Sequence, residues 1–193
     1  MNKLIQNSIR ESIAVKQAML ADEIFLQKIE HGAQMLANTF RKGGKALFCG
    51  NGGSAADAQH IAAELSGRFY TDRAPLYAEA LHVNSSYVTA VANDYGYDAV
   101  FARMVQAAGR PEDVLVALST SGNSRNILKA IKTAKEKGMV IIGLTGESGG
   151  KMATLCDVLL NVPSADTPRI QEAHILIGHI LCQWVEEAIF GES

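Results

Sequence analysis

Apolar positions recur at helical spacing along the first part of the chain: Leu4, Ile5, Ile9 and Ile13, then Ile24, Phe25, Ile29, Met35, Leu36 and Phe40, with polar residues between them. The spacing predicts two amphipathic helices with a break near Asp22. Lys42-Gly43-Gly44-Lys45 stops the second, because glycine is the usual residue just past a helix end. Beyond it the texture changes to short apolar runs, each closed by a Gly/Ser/Asn loop and followed by a helical stretch. Ala46 to Cys49 leads into Gly50-Asn51-Gly52-Gly53-Ser54 and a helix from about Ala55 to Arg68. Val114 to Leu118 leads into Ser119-Thr120-Ser121-Gly122-Asn123-Ser124 and a helix ending near Lys137-Gly138. Met139 to Leu144 and Val158 to Val162 are further strands, Tyr77 to Val83 is another, and a helix from Thr167 to Phe190 closes the chain, with Pro168 suited to its first turn. Near-continuous apolar strands alternating with helices specify a parallel sheet covered on both faces. The expectation is one doubly wound α/β domain over 1–193, made of amino-terminal helices (1–43), an α/β core (44–165) and a closing helix (166–193). Since the sheet has its own covering helices, the amino-terminal pair is expected to bury its apolar stripes against other subunits.

Composition narrows the role. The chain has 193 residues, 48% apolar and 20% charged, with a formal net charge of −2, which suits a globular protein and argues against wrapping nucleic acid or binding anionic lipid. The longest apolar stretch, Ile175 to Cys182, is shorter than a membrane span and holds Gly178 and His179. Met1 to Glu11 has no continuous apolar stretch of the kind that marks export, so a cytoplasmic protein is expected. Cys49, Cys156 and Cys182 form no short-spaced pair and are read as core residues in a reducing compartment.

Two loops stand where open α/β sheets bind ligands, outside the carboxyl ends of strands and at helix amino termini. In Gly50 to Ser54, glycines let backbone N–H groups approach an anion; in Ser119 to Ser124, hydroxyls add donors. The plain alternative is that these glycines only make turns and the serines only cap helices. Neither loop fits Gly-x-Gly-x-x-Gly and no Gly-Lys-Ser/Thr follows, which favours a sugar phosphate over a nucleotide. On the helix leaving the first loop, His60 and Glu64 are four apart and share a face, a spacing that holds a divalent metal or sets a base beside a substrate. The closing helix carries Gln171, Glu172, His174 and His179 in an apolar stripe. Gln171 and His179 are about 12 Å apart along the axis and about 80° apart around it, so Gln171 with His174 is the easier pair and spacing does not decide between the histidines.

Gly50 to His60 (Gly-Asn-Gly-Gly-Ser-Ala-Ala-Asp-Ala-Gln-His), Asn93-Asp94-Tyr95-Gly96, Ser119 to Ser124 and Arg169-Ile170-Gln171-Glu172 together resemble the phosphoheptose isomerases, a branch of the sugar isomerase (SIS) fold family. Four separated motifs in order carry the resemblance, which runs over essentially the whole chain. It implies phosphate binding by Ser119, Thr120, Ser121 and Ser124, with Asn51, Gly52, Gly53, Asn93 and Asp94 as further substrate contacts and Ser54 beside them in the first loop. It implies a metal-linked site of His60, Glu64, Gln171 and His179, selecting His179 over His174, with one zinc per subunit. A homotetramer with active sites near subunit interfaces is implied as well. The implied reaction converts D-sedoheptulose 7-phosphate to D-glycero-D-manno-heptose 7-phosphate through an enediol, at the head of ADP-heptose precursor synthesis, with Glu64 as base toward C1 and His179 as proton donor. His82-Val83-Asn84-Ser85 departs from the Thr-Thr-Asp-Thr common in that family. The alternative is a non-catalytic regulator of the same fold that binds the DNA replication initiator; it shares features such as Ser124-Arg125-Asn126, but a carboxylate at Glu64 is not expected in it. A sugar-phosphate-sensing transcriptional regulator would bring a DNA-binding segment, and no helix-turn-helix appendage or basic cluster is visible. The partners expected are therefore a small sugar phosphate and further copies of the chain, without nucleic acid or membrane.

Overall fold

The apolar runs become the strands of one parallel sheet. The computed structural model describes residues 2–191. In it β1 (Ala46–Cys49), β2 (Ala78–Ala80), β3 (Val114–Leu118), β4 (Val140–Thr145) and β5 (Val158–Asn161) lie in the order β2-β1-β3-β4-β5, every pairing parallel. Ala46 stands between Ala78 on one side and Val114 on the other; Val114 pairs with Val140, and Ile142 with Val158. The second strand is shorter than the expected Tyr77 to Val83 because a turn follows Ala80.

Side chains alternate across each strand, so each strand feeds two cores. Phe48, Val116, Leu118, Ile142 and Leu144 point to one face, where α2 (Glu23–Arg41), α3 (Gly53–Ser66) and α7 (Thr167–Phe190) supply Leu36, Ile61, Leu65 and Ile177. Leu47, Cys49, Leu115, Ala117 and Ile141 point to the other, covered by α4 (Ser85–Tyr95), α5 (Val100–Ala108) and α6 (Arg125–Glu136) through Val91, Phe101, Val105, Ile127 and Ile131. The break between α1 (Asn2–Ala21) and α2 is a capping event: Asp22 stands outside the helical region and its carboxylate accepts the Phe25 amide at 3.0 Å. Helix α3 starts two residues earlier than the sequence spacing predicts, at Gly53, and the structure adds α4 and α5 where the sequence reading assigned no element. Helix α4 is capped by Asn84, which accepts the Tyr87 amide and so uses the stretch that departs from the family pattern.

The strand order reverses between β1 and β3: the chain leaves β1 toward β2 on one side and returns to β3 on the other. At such a switch point the loops leaving the two strands diverge and open a crevice outside their carboxyl ends. Those loops are 50–52 and 119–124. The expectation that both amino-terminal helices turn their apolar stripes to other subunits fails for α2, whose Phe25, Ile29, Leu36 and Phe40 are buried in this chain's own core against the sheet and α7. Only α1 keeps an uncovered outer face, with Met19 its one buried residue among those described, while Leu4, Ile5, Ile9 and Ile13 are each about half exposed or more. Among the described residues no helix is long and apolar enough to cross a membrane.

Candidate active site

The two loops are tied together across the switch crevice. Asn51 and Asn126 exchange reciprocal amide hydrogen bonds of 3.0 and 2.8 Å, and the Asn126 side chain also accepts the Ile127 amide. Asn126 is buried at the start of α6, and sequence reasoning did not single it out as a site residue because its partner lies 75 positions away. In the second loop Ser124 occupies the cap position of α6 without capping it. Its hydroxyl instead meets that of Ser119 at 3.0 Å, so no side chain caps the Arg125 and Asn126 amides that open α6, and these can meet an anion. A neighbouring segment supports the loop from outside: the Gly146 amide donates to Thr120 O, and the Lys151 amide to Asn123 Oδ1. Ser121 and Asn123 close the loop tip on themselves, the Asn123 amide donating to Ser121 Oγ at 3.2 Å.

In the first loop Gly52 caps α3 and is exposed, while the Ser54 side chain is buried in the first turn of that helix. Gly53 is approached by Gln171 from α7 so closely that a Cβ there would lie 2.6 Å from Gln171 Nε2. A side chain at this position would push the flexible end of Gln171 aside. Gln171 is set against the loop. Asn93 and Asp94 lie at the end of α4, exposed, and Asn93 Nδ2 donates to the Asp94 carboxylate at 2.9 Å.

Two helical turns beyond the first loop, α3 and α7 bring three ligand-type side chains together. His60 Nε2 and Glu64 Oε1 are 3.0 Å apart, and His179 Nε2 stands 3.4 Å from His60 Nε2. These three donor atoms lie within 4.8 Å of one another. The helices come this close because Gly178 faces Ile61, where a Cβ would sit 2.4 Å from Ile61 Cδ1. Two imidazole nitrogens and a carboxylate oxygen form the mixed donor set that zinc favours. The donor set therefore fits the metal that the family resemblance implies.

His174, the other histidine of the closing helix, lies elsewhere. It is fully buried and its Nε2 lies 3.2 Å from the Thr145 carbonyl at the end of β4. Burial outweighs that hydrogen bond and pushes its pKa down to about 4, so it stays a neutral core group. The cysteines behave likewise: all three are free, and burial pushes the thiols of Cys156 and Cys182 up to about 12. A cavity of about 400 Å³ opens at the opposite, amino-terminal edge of β1 and β3. There the Lys45 ammonium is already paired with the Asp113 carboxylate at 2.6 Å, and the cavity lies away from both loops. Sequence reasoning also missed Phe69, Arg73 and Glu186, which pack behind the histidines and are described below.

Comparison with known proteins gives concordant results. Residues 10–146 match the SIS domain family. A phosphoheptose isomerase of Aneurinibacillus thermoaerophilus is 55% identical over 190 residues, covering 98% of this chain and 96% of that one. One of Rhodospirillum rubrum is 60% identical over 161 residues, covering 83% and 86%. Among solved structures, the phosphoheptose isomerase of Neisseria gonorrhoeae superposes with a TM-score of 0.90 at 46% identity, over 96% of this chain and 98% of that one.

Proposed function

We infer that this chain, which belongs to the phosphoheptose isomerase family of SIS domain proteins, is an aldose–ketose isomerase that converts D-sedoheptulose 7-phosphate to D-glycero-D-manno-heptose 7-phosphate. The observation that carries the reading from family to chemistry is the His60, Glu64 and His179 cluster, two turns along the helix that starts at the switch-point crevice. The second loop takes the phosphate: Ser119, Thr120, Ser121 and Ser124 offer hydroxyls and amides around the amino terminus of α6. Asn51, Gly52, Gly53, Ser54, Asn93, Asp94 and Gln171 make up the remaining sugar contacts. With the phosphate anchored, the C1–C2 end of the ketose reaches α3 and α7.

There Glu64 takes a proton from C1 while His179 gives one to the C2 carbonyl oxygen, which yields the enediol. Return of a proton to C2, with loss of the O1 proton, completes the aldose and leaves the atom count unchanged. His60, Glu64 and His179, joined by Gln171, are the residues that would hold a zinc ion, one per subunit. Zinc, when bound, supplies Lewis-acid polarisation of the carbonyl. If Glu64 and His179 both hold zinc in the resting enzyme, at least one of them would loosen or share its role during proton transfer.

The exposed stripe of α1 is assigned to contacts between copies of the chain in a homotetramer, and the three free thiols suit the cytoplasm. The alternative, a scaffold that binds the replication initiator, is disfavoured by the carboxylate at Glu64 and by its pairing with His60. Purified protein given sedoheptulose 7-phosphate, with and without added zinc, should form the aldose. Absence of product under both conditions sinks the assignment.

A further inference from the structure

Behind the histidines, the segment that follows α3 is tied to α7 by a buried ion pair. The Glu186 carboxylate accepts the Tyr70 and Thr71 amides at 2.9 Å each and the Phe69 amide at 3.3 Å, and pairs with Arg73 Nε at 3.0 Å. Both side chains are almost wholly buried. Burial alone would raise the Glu186 carboxyl, but the Thr71 and Tyr70 amides, the Arg73 guanidinium and the Phe69 amide together hold it below the usual carboxylate range. The rest of the guanidinium faces the other way. It donates to the carbonyls of Glu64, Leu65, Gly67 and Ala74, at 3.0, 2.9, 3.2 and 3.1 Å, so one side chain satisfies the end of the very helix that carries His60 and Glu64.

The placement follows the site closely. Glu186 is seven residues beyond His179 in α7, two turns along and on the same face. Phe69, held by its amide to Glu186, lays its ring against the His179 imidazole with centroids 5.7 Å apart. We propose that Glu186 and Arg73 are positioning residues for the isomerase site: they clamp the end of α3 onto α7 and so hold His60 and Glu64 at ligating distance from His179, with Phe69 as the stop behind His179. The proposal rests on the isomerase reading for what the cluster does, and on the geometry alone for what holds it. Neither residue touches the phosphate loop, so the clamp acts on the reacting end of the site and not on the anchor.

The test compares wild type with Glu186→Gln, which keeps the volume and one acceptor oxygen but removes the charge. A second variant, Phe69→Leu, leaves the ion pair whole and removes only the ring against His179. Zinc affinity of the metal-free chain is read by calorimetric titration, and kcat and KM for sedoheptulose 7-phosphate are read separately. Groups that orient metal ligands typically govern about 10 to 100-fold in affinity or activity. Glu186→Gln is expected to bind zinc about tenfold or more weakly and to lose kcat by about as much, with KM within about twofold of wild type. Phe69→Leu should move in the same direction by a smaller factor. A folded Glu186→Gln with wild-type zinc affinity and kcat overturns the proposal; if that variant fails to fold, unchanged zinc affinity and kcat in Phe69→Leu overturn it. A wild type that binds zinc without isomerising the sugar defeats the activity assignment, and the zinc affinities still decide the clamp. A wild type that turns over without zinc leaves kcat to decide it.

Discussion

Glu64 lies on α3 four residues after His60, with its carboxylate 3.0 Å from that imidazole and partly open to solvent. Glu64→Gln keeps the shape and removes the basic oxygen, so folding should survive while kcat falls by about 100 to 10,000-fold, the usual range for a general base. A well-folded variant keeping more than about a tenth of wild-type kcat is inconsistent with Glu64 as the base. His174 carries a second expectation. Its folded pKa of about 4 lies below the ordinary 6.5, so between those values the unfolded chain takes up a proton that the folded one refuses. The stability it contributes is therefore complete above about pH 6.5 and is lost as pH falls toward 4, by up to roughly 3 kcal/mol. Urea unfolding at pH 7.5 and 4.5 should show a larger drop for wild type than for His174→Gln. Equal drops would mean that His174 is not the group being titrated. At this scale the sequence yields features that are local, such as the place of the Ser119 to Ser124 loop between β3 and α6 and the meeting of His60 with Glu64. It does not yield residues whose role is defined by a distant partner, such as Asn126 with Asn51 or Glu186 with Arg73, because nothing near either residue in the chain records the pairing.

Between α3 and α7 the contact is made by a glycine. A methyl at Gly178 would run into Ile61, which is itself almost fully buried and has no open space to swing into. Gly178→Ala should therefore destabilise the fold by about 1 to 3 kcal/mol, against the roughly 1 kcal/mol of helix propensity it gains, and should separate His179 from His60. The urea midpoint and zinc affinity should fall together. A raised midpoint would show that Ile61 yields after all. Elements with a strong period or a continuous apolar run were legible: β1, β3 and the limits of α7 stand where the pattern places them. Helices α4 and α5 were not, for different reasons. In α4 only Val91 is buried, so its apolar signal is too thin to read, whereas α5 is short and buries Val100, Phe101, Ala102 and Val105 behind a turn. Helix α3 began earlier than expected because it opens on Gly53, a poor helix former whose residue type does not mark it as helical.

For the whole molecule, the apolar face of α1 dominates what happens next. Leu4 and Ile9 are 71% and 56% exposed, and Ile24 at the start of α2 is 67% exposed, a stripe that a single chain leaves in water. Light scattering should report a tetramer, and Ile5→Glu with Ile9→Glu should shift the population to smaller assemblies. A stable, fully active monomer of the wild type would remove α1 from this role. The sheet, by contrast, ends on both sides in very short strands, three residues in β2 and four in β5. A strand from another molecule finds few consecutive free backbone groups there to pair with, so crowding gives fibrils almost no template to grow from. The exposed apolar surface of this chain sits on a helix, whose backbone is already satisfied and whose side-chain face would be used up in the closed tetramer proposed above. If that tetramer forms, overexpression should yield finite particles rather than fibres that extend without end.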